Sequence, residues 1–143
     1  MSDQIDVNQL SNAIQQKVDL PSGKSQADID YVIESQLPTS ENNYTWYRLY
    51  KSGWVEQGGS DNRTTTGNTG AYSFTINLPI TMADDRYTVF TNSDFSGGTS
   101  WYPPAKKGSS TTQAIIGGWV NGSSTITLTS WKVEGMSAQG GIS

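Results

Sequence analysis

Outside its first 43 residues the chain carries six carboxylates: Glu56, Asp61, Asp84, Asp85, Asp94 and Glu134. Two acids held roughly 5–9 Å apart across a glycosidic bond would make a polysaccharide-cleaving site. No spacing here delivers such a pair. Asp84 and Asp85 are adjacent in a turn, where neighbouring side chains diverge, and Glu56 falls on an expected strand. The chain has no His and no Cys. That removes the Ser-His-Asp triad, thiolate nucleophiles, disulfides and Cys/His sites for zinc or haem. A metal would have only oxygen ligands. No enzymatic activity, metal or cofactor is expected.

The remaining chemistry is aromatic. Trp101 and Tyr102 stand beside Pro103-Pro104 and Lys106-Lys107 in a long polar segment. Trp101 has two readings: an anchor that holds the segment onto the domain, or part of a binding surface. For binding, aromatic rings stack on the apolar faces of sugars while their polar edges tolerate water. A Pro-Pro pair lowers the ordering cost of binding. The two lysines would meet phosphate or carboxylate groups of a glycan. The expected binding surface spans Ser93–Ser110, with Asp94, Phe95, Trp101, Tyr102, Lys106 and Lys107, and Arg63 in the 60–70 segment is the second choice. Trp46, Trp54 and Trp131 occupy strand positions that alternate with polar residues, so they read as core.

What must position these residues follows from composition. The chain has 143 residues, the size of one ordinary domain. It contains 19 Ser and 16 Thr, about a quarter of the total, whereas charged residues are only 15%. A disordered chain would be charged and poor in aromatics. Here aromatics reach 10%, so the chain folds, and its hydroxyls and glycines suit an all-β protein. The net charge of −4 is uneven: residues 1–43 carry seven acids and two bases, residues 44–143 six acids and seven bases. An acidic N-terminal part and no basic stripe argue against nucleic acid. No apolar run approaches the roughly 20 residues of a membrane span. MSDQIDVNQL lacks the basic and apolar regions of a secretory signal.

Residues 3–18 read as a short helix. Asp6 and Gln9 match a capping box, and Val7, Leu10, Ile14 and Val18 form one narrow apolar stripe. Such a helix is marginal alone and needs a partner. Three readings are open: it lies on the domain's own sheet, it self-associates about a symmetry axis, or the terminus is frayed and unstructured. Residues 1–24 are therefore read as a stem helix and linker, and 25–143 as a β-domain. Strands are expected near 31–37, 44–50, 54–57, 71–78, 86–91, 112–120 and 126–134. Lys51-Ser52-Gly53-Trp54 reads as a tight turn and Asn121-Gly122 as a hairpin turn. Gly117-Gly118 and Ser130-Trp131 suggest bulges. Gly58–Gly70 and Ser93–Thr111 read as long loops. The strand at 44–50 carries aromatics on both faces, so one face can line the core and the other meet a second sheet or another subunit. The sum is mostly β: an antiparallel β-sandwich of about seven strands.

The stretch PTSENNYTWYRLYKSGWVEQGG resembles a segment common in the C-terminal tip domains of tail-fibre proteins of tailed bacteriophages and prophages. The likeness centres on Tyr44-Thr45-Trp46-Tyr47-Arg48 and Ser52-Gly53-Trp54-Val55-Glu56-Gln57-Gly58-Gly59. Leu78-Pro79-Ile80-Thr81-Met82 and Ser130-Trp131-Lys132-Val133-Glu134-Gly135 also fit, so it spans roughly 30–137. The resemblance implies a homotrimeric virion component, made in the host cytoplasm. A helical stem would precede a sandwich head that touches a glycan or outer-membrane protein of the host surface, without membrane insertion. The two long segments match nothing in the family, as variable receptor-facing parts would not. Whole fibres of this kind are longer, so the chain reads as a C-terminal piece or as a separate small tip protein.

Overall fold

Period-two alternation fixes most of the strands. In β4 (Gly70–Asn77) Tyr72, Phe74 and Ile76 are buried, while Ser73, Thr75 and Asn77 face out. The computed structural model describes residues 29–67, 69–98 and 100–141. The predicted helix at 3–18, with its stripe Val7, Leu10, Ile14 and Val18, lies outside the described residues. Tyr31 opens a compact unit that runs on through the rest of the chain.

That unit is mostly β, built from two antiparallel sheets. The first has the order β1-β2-β3-β9-β5, from Val32–Gln36, Trp46–Tyr50, Trp54–Gly67, Ser124–Met136 and Thr88–Gly97. In the second, β8 (Gln113–Asn121) pairs with β4 on one side. On its other side it pairs in turn with β6 (Ser100–Trp101) and β7 (Ala105–Ser109). One core joins both sheets in a sandwich-like arrangement: Leu49, Val55, Leu128 and Val133 from the first meet Phe74, Ile76 and Ile116 from the second. The β3–β4, β4–β5, β5–β6 and β8–β9 connections each pass from one sheet to the other.

Several expectations need correction. The described residues hold nine strands rather than about seven. Gly58–Gly70 is not a loop: β3 continues to Gly67, paired with β9. Ser93–Thr111 is not one either, since β5 runs to Gly97 and β6 and β7 follow. Both segments are rich in Thr and Ser, and strand preference depends on the neighbour a residue is paired with. Asn121-Gly122 does not close a hairpin, because β8 and β9 belong to different sheets. Gly122 (φ 79°) turns the chain from one layer to the other. Gly117 and Gly118 cause no register shift between β4 and β8. They make room instead: a Cβ on Gly118 would sit 2.6 Å from the Tyr72 hydroxyl.

Other features agree with the sequence. The β2–β3 hairpin turns at Gly53, φ 90°. β9 slips register near Ser130 against both β3 and β5. The slip switches its buried phase from Val133 and Trp131 to Leu128 and Ile126.

Candidate functional site

The expected binding surface divides on inspection. Trp101 is half-buried against the core and stacks on Phe95, ring centroids 5.3 Å apart and planes within 12°. Asp94, next to Phe95 on β5, is exposed. Tyr102 turns the other way and is 64% exposed. Its N–H donates to the Trp119 carbonyl at 2.8 Å, and its carbonyl accepts from the Tyr72 hydroxyl at 2.8 Å. Lys106 folds back: its Nζ lies 4.1 Å from the centre of the Tyr87 ring and donates to the carbonyls of Tyr87, at 3.0 Å, and Asp85. Lys107 is exposed at the register slip of β7. Trp119, on the outer face of β8, joins Tyr102 as an exposed aromatic. Its place in the strand's alternation marked one face from the other but not which was outward.

The first sheet presents a second surface. Trp46, Gly58, Lys132 and Phe90 occupy one cross-strand row. Val55 and Gln57 point inward, so this row and its alternates point outward. Trp54 and Phe90 are 39% and 49% exposed, so Trp54 is not core as expected, whereas Trp131 is buried. Trp46 is half-buried. Between these rings sits a polar network. Lys132 Nζ lies 3.3 Å from Glu56 and 3.1 Å from Glu134, and the Tyr50 hydroxyl donates to Glu56 at 3.1 Å. The hydrogen bond to Glu134 leads the causes that hold the Lys132 ammonium above its ordinary range. Bonding to Glu34 at 2.7 Å likewise raises the Tyr47 phenol.

A third feature is the corner before β2. Asn43 and Tyr44 both have left-handed backbones, φ 54° and 56°. Asn tolerates this, but for a bulky aromatic it costs about 1–3 kcal/mol. Local bonds hold the corner. Tyr44 N–H donates to the Thr39 carbonyl at 2.8 Å, Thr39 N–H to Asn42 Oδ1 at 2.9 Å, and Asn42 Nδ2 to the Leu37 carbonyl at 2.8 Å. Tyr44, 52% exposed, lines a cleft of about 420 Å³ with Asn43, Ser60, Asp61, Asn62 and Arg63. A neighbouring cleft of about 400 Å³ shares Tyr44 and Ser60.

Arg63 is fixed within that cleft. Asp61 caps its backbone N–H at 2.8 Å and pairs with its guanidinium at 2.7–3.0 Å. Arg63 Nη1 donates to the Thr75 carbonyl at 2.6 Å, across to the second sheet. Sequence reading reached Arg63 but missed Tyr44, Asn43 and Asn62 as its neighbours. Some 20 residues separate Tyr44 from Arg63, and β2–β3 pairing brings them together.

Among the described residues no three acidic, His or Cys side chains gather to hold a metal ion, and no helix is long and apolar enough to cross a membrane. No protein-family model, no curated protein and no solved structure matches the chain.

Proposed function

We propose that the chain is the tip domain of a bacteriophage or prophage tail fibre, a homotrimer that binds a glycan or outer-membrane component of the host surface. In this reading residues 25–143 form a β-sandwich head and the helix at 3–18 forms the stem, packed through Val7, Leu10, Ile14 and Val18. The observation that carries it is the pair of separate surfaces with large exposed aromatics. Trp54 and Phe90 lie on the outer face of the first sheet, Tyr102 and Trp119 on that of the second. Exposed aromatic patches mark interaction sites. One surface serves assembly and the other the receptor. Repetition of weak sites around a trimer gives tight adhesion through avidity.

A purely structural fibre module would explain the first surface and leave the second without a purpose. An enzyme would need a reacting pair of side chains, and Glu56 and Glu134 are instead bridged by Lys132. The test mixes labelled protein with candidate host cells. Saturable binding that competes with phage adsorption supports the proposal, released oligosaccharide favours an enzyme, and neither favours the structural module. Light scattering should give three times the monomer mass. A monomer at tens of micromolar would sink the trimer.

A further inference from the structure

The cleft beside Tyr44 combines features that the fold alone does not require. A bulky aromatic is held in a backbone conformation that suits glycine better, by a corner whose hydrogen bonds all serve that geometry. Its ring then lines a polar cleft opposite an ion pair. The side chains of Asn43, Ser60 and Asn62 make no hydrogen bond among the described residues, so their donors and acceptors are available. Of the five guanidinium N–H groups of Arg63, Asp61 takes two and the Thr75 carbonyl one. Two remain.

We infer that this cleft binds a neutral saccharide. The inference rests on the receptor-binding reading and adds to the Tyr102–Trp119 surface a second place of contact, with its ligand class. The Tyr44 ring covers the apolar face of one sugar ring. The two free N–H groups of Arg63 donate to the oxygens of vicinal hydroxyls, while Asp61, whose carboxylate is taken up by Arg63, holds the guanidinium in place. The Asn43 and Asn62 amides reach further hydroxyls. The charges of Asp61 and Arg63 cancel, so the cleft attracts neither an anion nor a cation. Because Arg63 is already fixed at both ends, binding does not have to order it. The volume suits a small ligand, within the roughly 300–1,000 Å³ of such clefts. Backbone strain persists at binding sites when the surroundings over-determine it, and Tyr44 meets that description.

The test titrates the full chain with neutral tetrasaccharides containing glucose, galactose or N-acetylglucosamine, by calorimetry, and measures adhesion to host cells in parallel. The wild type is expected to bind at least one. Tyr44→Gly is expected to lose at least ten-fold in affinity while its melting temperature stays the same or rises, because glycine adopts φ 56° without strain. Asp61→Asn should weaken binding as well. If Tyr44→Gly binds the sugar and the cells as the wild type does, the site is overturned while the receptor reading stands. If no sugar binds but Tyr44→Gly loses cell adhesion, the neutral-saccharide class is overturned and the location is kept. If the wild type itself does not adhere to cells, the receptor reading fails, and sugar binding then decides this site alone.

Discussion

Gln57 and Ile80 exchange two hydrogen bonds in the interior. Ile80 N–H donates to Gln57 Oε1 at 2.8 Å, and Gln57 Nε2 donates to the Ile80 carbonyl at 2.9 Å. Nε2 also lies 3.0 Å from Met82 Sδ. A fully buried side-chain amide thus acts as a strand partner for the irregular segment between β4 and β5. Gln57→Leu strands both backbone groups of Ile80. Each buried unsatisfied group costs about 1–3 kcal/mol. Urea unfolding should show a loss of about 3 kcal/mol with little change in slope.

Gly58 lies beneath the Trp46 ring. A Cβ there would stand 2.8 Å from Trp46 and 2.7 Å from the Trp131 carbonyl, which is backbone and cannot swing aside. Gly58→Ala should destabilise by about 1–3 kcal/mol through overpacking. Gly108→Ala is the control. Nothing lies within 4 Å of its Cβ, and φ is not positive, so it should be neutral or stabilise by about 0.5 kcal/mol.

Trp101→Ala should lower the melting temperature, because the ring packs on the core and stacks on Phe95. Partial burial suggests a loss of about 2 kcal/mol, below the 3–5 kcal/mol of a fully buried ring. Tyr102→Ala should leave the melting temperature unchanged and weaken cell adhesion. Thermal melts and cell binding on the same two samples separate anchor from contact.

Stability should fall at high pH. Burial raises the Tyr72 and Tyr87 phenols above their ordinary 10.0, and the Lys132 ammonium is raised above 10.5. In each case the unfolded chain loses its proton first as pH rises, so the folded state loses ground. The contribution is complete below pH 10 and declines above it. Urea midpoints at pH 9, 10 and 11 should drop in that order, and Tyr72→Phe should flatten the dependence. A midpoint flat to pH 11 contradicts the assignment.

The fold was legible where alternation was strong. Tyr72, Phe74 and Ile76 marked one buried face, and the slip at Ser130-Trp131 marked the place where β9 changes phase. It was illegible where pairing supplies what composition does not. Arg63-Thr64-Thr65 has no apolar periodicity, yet it lies opposite Leu128, Thr127 and Ile126. The Trp54 position illustrates a second limit: a two-residue period separates the faces without saying which is buried. The corner at Tyr44 was hidden for a third reason. A left-handed tyrosine has no sequence signature, since glycine is the residue that announces positive φ.

The central place of β9 sets the order in which the molecule can be made. β9 lies between β3 and β5 and bonds to both, yet all the other strands precede it in sequence. On the ribosome, β3 and β5 emerge with no strand between them, as unpaired edges. The first sheet therefore closes only after Met136 has left the exit tunnel, and pairings so distant in sequence make that closure slow. A nonsense mutation before Ser124 would release two aggregation-prone edges instead of a shortened domain.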